Sequence, residues 1–296
     1  MRKFFRVIAV FALLPVLFAV FIVVKDCLRL SIGERSFGNQ ETQNRDSGFF
    51  EYKTIIANEL SRKNTAVAIQ GARVGIVSHH LPTALPLIAD FYRELASSGG
   101  PRGTFIILGP DHRERCRSLI SLTKRNYTTP FGGLAVNEDF VSKMESHGAI
   151  VNEQCFDDEH AIGVQTIFIK YFFPQAEIVP VLFSSATRES DISGLLEFLA
   201  SLENDVTVIA SVDFSHHHTY DEARLIDETS QRMIERGEWP LFGLERVDSP
   251  MALKLAMQLA GQWQTPDALI LQRANSFEFN KNPQDTTGYI SAIFTP

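Results

Sequence analysis

The sequence predicts an α/β fold, a three-layer α/β/α sandwich with a mainly parallel central sheet, carried behind an N-terminal transmembrane helix. Three observations predict it. From Arg73 onward, short β-branched runs alternate with longer amphipathic ones, the pattern of crossover units. Seven of the eight histidines fall in four clusters that follow predicted strands or open a helix, where open α/β sheets bind ligands. The first thirty residues read as a separate membrane element.

That element comes first in the chain. Arg2, Lys3 and Arg6 precede an almost unbroken apolar stretch from Val7 to Val24, interrupted by Pro15 alone. At about 1.5 Å per residue it approaches the roughly 30 Å of a bilayer core. No small-residue cleavage site follows, so residues 1–30 are expected to be an uncleaved anchor. The positive-inside rule then places the soluble domain outside the cytoplasm, against the counter-bias of Lys25, Arg29 and Arg35. Residues 31–65 are polar and Gly-rich, and are expected to be a linker with a short helix from about 50 to 61. The α/β domain is expected over 66–296.

Within it, strands are predicted at Val74 to Val77, Thr104 to Leu108, Ala149 to Asn152, Glu177 to Phe183, Val206 to Ser211, Ala268 to Gln272 and Gly288 to Phe294. Helical periodicity covers about 84 to 97, 138 to 146, 160 to 172, 189 to 201, 220 to 236 and 249 to 260. Ser276 to Asn280 reads as a loop. A net charge of −7, with no basic stripe, argues against nucleic acid as a partner. Cys27, Cys116 and Cys155 are an odd set with no close pair, so spacing specifies neither a disulfide framework nor a zinc knuckle, though two of them can still meet in space.

The histidine clusters carry the functional signal. In Ser78-His79-His80, adjacent side chains on an extended segment point to opposite sides, so one faces the site, and His80 is preferred. Gly109-Pro110-Asp111-His112 is a sharp turn off an apolar strand that presents two polar side chains. Asp157-Asp158-Glu159-His160 resembles a helix start, where acids cap free amides, and the imidazole there is expected to be neutral. In Asp213 to His218 the three histidines read either as a surface tract or as site residues oriented by Asp213. Together they point to a metal or acid/base centre; no GxGxxG, P-loop or GxSxG motif competes.

At these residues the chain resembles the Memo family, called AmmeMemoRadiSam system protein B in prokaryotes. The resemblance runs from about Gly75 to Phe294 through Ile76-Val77-Ser78-His79-His80, Phe105 to His112, Tyr127 to Leu134, Asp158-Glu159-His160, Ile178 to Leu182 and Ser211 to His216. It implies a fold similar to class III extradiol dioxygenases, which hold non-haem iron, and a metal site of two histidines and a cysteine that takes iron or copper. His80 and His112 match the two histidine ligands. Asp213 and His216 match the acidic and histidine positions beside the metal, and Glu159 and His160 the acidic-histidine pair.

Two departures stand out. Leu81-Pro82-Thr83 replaces the family's Ala-Gly-Tyr, and its late Cys-Gly motif is missing, with Arg246 to Met251 the nearest match. Asp213, His216 and Asp248 are the substitute third ligands, in that order. Losing the thiolate shifts preference from copper(I) toward iron(II). The expected function is a membrane-anchored, metal-binding Memo-like domain with iron redox or dioxygenase-type chemistry on a small molecule, with His160, Glu159, Asp213 and His216 as acid/base groups. The alternatives are a non-catalytic peptide- or protein-binding module using the same crevice, and a homologue whose histidines no longer meet a metal.

Overall fold

The computed structural model describes residues 44–62, 69–99, 103–202, 206–238 and 246–296. In chain order the elements are β1 (Arg45–Asp46), α1 (Lys53–Leu60), β2 (Val74–Val77), α2 (Leu85–Ser97), β3 (Thr104–Pro110), β4 (Ile120–Leu122), β5 (Tyr127–Thr129), β6 (Gly132–Leu134), α3 (Glu138–Glu145) and β7 (Ile150–Val151). Then follow α4 (His160–Phe172), β8 (Glu177–Phe183), α5 (Glu189–Ala200), β9 (Val206–Ser211), β10 (Phe214–His218), α6 (Tyr220–Arg236), α7 (Pro250–Gln262), β11 (Asp267–Asn275), α8 (Phe277–Asn280) and β12 (Thr286–Thr295).

The runs that are apolar at nearly every position form the centre of the sheet, because a strand covered on both faces has no polar side to show. These are β2, β9, β3 and β8, buried along almost their whole length. They lie side by side and parallel, in the order β2-β9-β3-β8. In register, Val77 lies beside Ser211, Ala210 beside Leu108, and Pro110 beside Phe183, so the carboxyl ends share one edge. Helices α2, α4 and α7 pack against these strands, α2 also against α4, and α5 packs on α7. At Gly75, an added Cβ would lie 2.4 Å from the Phe91 ring, so the glycine lets α2 settle closely on β2.

The flanks depart from the expected mainly parallel sheet. Among the described residues the nine-stranded sheet runs β10-β12-β2-β9-β3-β8-β4-β7, with β11 paired to β12. Four of its pairings are parallel and four antiparallel, so the fold is mixed α/β. The reason is connection length: β11 and β12 are joined without a crossover helix and must run antiparallel. A short segment also returns the chain from β3 through β4 against β8.

The expected transmembrane helix and single-pass membrane location are corrected as well. Among the described residues no helix is long and apolar enough to cross a membrane. The longest described helix, α6, has 17 residues and an acidic, amphipathic sequence, short of the roughly 20 apolar residues a span needs. The stretch 7–24 that prompted the expectation lies outside the described residues. The described residues fall in one unit, Asn44–Pro296. Within it β1 pairs with β5, and buried Arg45 donates to Thr123 Oγ1 at 2.8 Å and lies 3.2 Å from Asp157.

Candidate functional site

The shared edge of the parallel strands collects the polar residues that follow them. His79 and His80 follow β2, Asp111 and His112 leave β3, Asp213 links β9 to β10, and Asp248 precedes the Pro-started α7. Glu159 caps α4, accepting from the Ala161 N–H at 2.9 Å, and His160 is that helix's first residue. Gly109 permits the approach: a Cβ there would lie 3.0 Å from Ala161 Cβ. Without a side chain at that point, the start of α4 sits over the end of β3 and reaches His112.

His79 lies at the centre and is 1% exposed. Its Nε2 is 3.2 Å from Asp248 Oδ2 and 3.8 Å from Asp213 Oδ2. His112 turns Nδ1 to Glu159 Oε1 at 2.8 Å and Nε2 toward Asp248 Oδ2 at 3.6 Å. The His160 ring stacks on His112 with centroids 4.1 Å apart and lies 5.1 Å from His79. His79, His112 and His160 offer ligand atoms within 4.8 Å of one another, and so do His79, Asp213 and Asp248. Either set could hold a metal ion, and the two share one imidazole.

The charges follow from this packing. Burial opposes charge on His79, but Asp213 and Asp248 outweigh it and raise its pKa. The same contest, settled by Asp248 and Glu159, raises His112 to about 10. Burial would raise both Asp248 and Glu159, yet the neighbouring imidazoles hold each below the usual carboxylate range. His160 goes the other way: burial, then the charges of His79 and His112, lower it to about 4 and keep it neutral. Burial also lowers His216. The site thus separates cationic from neutral imidazoles within a few ångströms.

The sequence-derived residues are sorted by this geometry. His112, Glu159, His160, Asp213 and Asp248 are brought together. His80, preferred over His79 on sequence, lies at the rim with its side chain 40% exposed; its Nδ1 shares a hydrogen bond with the Tyr289 hydroxyl at 2.7 Å and is 3.9 Å from Asp213 Oδ2. Among the described residues it belongs to neither ligand group. His216 lines a cavity of about 260 Å³ together with His112, Asp248, Glu114 and Phe183. His217 lines the same cavity, and its Nδ1 is 3.0 Å from Asp285 Oδ1. The two adjacent histidines diverge, His79 inward and His80 at the rim, but no residue type there says which goes where.

Other contributors rank low in the sequence reading or leave no signal in it. Asp248, ranked third as substitute ligand, sits at the meeting point of His79 and His112; the signal was its place just before the Ser-Pro helix start. Ser211 and Gln165 contact the site from β9 and α4, and as neutral buried residues they gave no signal. Cys116 and Cys155 form a disulfide between the loop after His112 and the turn before Glu159. The Cys116 N–H donates to Asp111 Oδ2 at 2.7 Å.

Residues 53–241 match the family model described as Memo-like protein. Among relatives, the chain is 28% identical over 170 residues to a MEMO1 family protein of Methanopyrus kandleri, covering 55% of this chain and 59% of the relative. It is 34% identical over 146 residues to a MEMO1 family protein of Methanobrevibacter smithii, covering 48% and 51%. A MEMO1 family protein of Caldivirga maquilingensis is 25% identical over 268 residues, covering 84% and 94%. The chain therefore spans little more than half the length of the first two relatives and nearly all of the third.

Proposed function

This chain belongs to the Memo-like family, and on that premise we propose that it binds a divalent transition metal ion through His79, the imidazole that both groups share, with His112 from one group and Asp248 from the other. One observation carries the reading: His79 Nε2 and Asp248 Oδ1 are buried with no hydrogen-bond partner, while Oδ2 of that carboxylate approaches both imidazoles. Buried polar atoms left unpaired are costly, and a single cation satisfies these together. Two imidazoles and a carboxylate, with no thiolate, favour iron(II) over copper(I). When bound, iron(II) in such a set supplies a Lewis acid with open positions for a substrate and dioxygen.

The surrounding side chains have separate tasks. Glu159 holds His112 by Nδ1 and leaves Nε2 free to ligate, the carboxylate-histidine arrangement common at metal sites. Asp213 accepts the His79 backbone N–H at 3.3 Å and so fixes the turn after β2. His160 and His216 are neutral, and His216, which lines the cavity, is the group placed to accept a proton from a small molecule there.

The test is anaerobic loading of the full chain with iron(II), followed by retention and oxygen uptake with catechols, beside His112→Ala and Asp248→Asn. Retention by the parent and loss in both variants supports the metal reading, and catechol-dependent oxygen uptake supports the dioxygenase-type chemistry. A parent that retains no metal overturns it in favour of a binding module in the same cavity.

A further inference from the structure

We propose that a buried relay of Tyr92, Gln165 and Ser211 locks the His79 imidazole with its proton on Nδ1, so that Nε2 is the atom offered to the site. The inference deepens the metal-binding reading and rests on it for the role of Nε2. Donor and acceptor rules alone assign the protons. Gln165 Nε2 lies 2.9 Å from the Ser78 carbonyl oxygen, which only accepts, so that end of the side chain is the amide nitrogen. The other end, Oε1, then accepts from the Tyr92 hydroxyl at 2.9 Å.

The second amide proton of Gln165 goes to Ser211 Oγ at 2.8 Å. Ser211 has one proton of its own and sends it to the Ala161 carbonyl oxygen at 2.6 Å. What Ser211 still offers, 3.2 Å from His79 Nδ1, is a lone pair. His79 must therefore donate from Nδ1. The opposite tautomer would set two lone pairs against each other where Tyr92, Gln165 and Ser211 are all 0% exposed and no solvent relieves the clash.

The relay joins α2, α4, β9 and the exit of β2, so the tautomer is set by the packing of the fold. It also explains why a neutral glutamine and serine stand in the core next to a charged site. Ser211 and Gln165 are positioning residues, acting on the ion through His79.

The test uses long-range proton-nitrogen NMR on histidine-labelled full chain, metal-free and loaded with zinc(II), beside Ser211→Thr and Ser211→Val. Threonine and valine add the same bulk, so packing effects cancel in their comparison. The expected result is a His79 Nδ1 that keeps its proton in both states, and zinc binding about 10- to 100-fold weaker in Ser211→Val than in Ser211→Thr. Zinc held through Nδ1, or equal affinity in the two variants, overturns the inference and leaves the metal reading standing. A neutral His79 with its one proton on Nδ1, read above its titration, in a parent that binds no zinc upholds the lock and overturns the metal reading.

Discussion

His79 Nε2 and Asp248 Oδ2 face each other across 3.2 Å, although they come from the exit of a central strand and the start of a helix far along the chain. The pair needs a positive charge between its atoms, supplied either by a proton on the imidazole or by a metal ion. That choice governs how the site responds to pH.

Metal affinity is expected to rise with pH. In the metal-free protein His112 lies at about 10 and is protonated at neutral pH, and the carboxylates of Asp213 and Asp248 favour the charged form of His79 as well. An ion must displace these protons, which costs up to about tenfold in affinity for each pH unit below the pKa and each proton released. Calorimetry in buffers of different ionisation enthalpy should count proton release on binding. Stability of the metal-free protein runs oppositely: the contribution of the raised imidazoles is full below 6.5 and is lost as pH rises through about 10.

Asp227 is expected to make a second pH-dependent contribution. Burial raises its carboxyl to about 7, only partly offset by Ser215 and Arg273. The folded state thus holds a proton that the unfolded state gives up near 3.8, so stability falls as pH rises from about 4 to 7. Asp227→Asn should flatten that fall and be more stable than the parent at pH 8 by about 1–3 kcal/mol. Urea denaturation of both proteins at pH 5 and pH 8 reads the difference.

The disulfide should support the site as well as the fold. Cys116 and Cys155 are 39 residues apart and tie the loop bearing His112 to the turn before Glu159 and His160. Replacing both with serine is expected to cost about 2–4 kcal/mol of stability and to weaken metal retention. Chemical denaturation and a metal-competition titration on the double variant measure the two effects.

Gly109→Val should separate placement from ligand identity. The added side chain meets Ala161, since a Cβ there already lies 3.0 Å from Ala161 Cβ. A cost of about 1–3 kcal/mol is expected from overpacking, with weaker metal binding although every candidate ligand is retained. Circular dichroism melting beside a zinc(II) titration checks both.

The legible part of the fold was its parallel centre. Each of the seven strands and six helical patterns read from the sequence coincides with an element, because buried strands and amphipathic helices leave strong periods. Short strands such as β4, β5, β6 and β10 leave none, and apolar pattern does not encode pairing direction, so the antiparallel flanks were invisible. Ser276 to Asn280 reads as a loop but contains the one-turn helix α8. At the site, the clustering of His112, Glu159, His160 and Asp213 could be read because each follows a strand or opens a helix at the same sheet edge. The choice of His79 over His80 depended on the orientation of the chain after Val77, which residue type does not reveal. The pairing of Cys116 with Cys155 depended on tertiary approach alone.

The central claim is that His79, not His80, belongs to a metal centre with His112 and Asp248. Metal stoichiometry measured by mass spectrometry on the untagged full chain, beside His79→Ala and His80→Ala, tests it most directly. The account predicts near-stoichiometric metal in the parent and in His80→Ala, and little in His79→Ala. Retention in His79→Ala, or loss confined to His80→Ala, would contradict it.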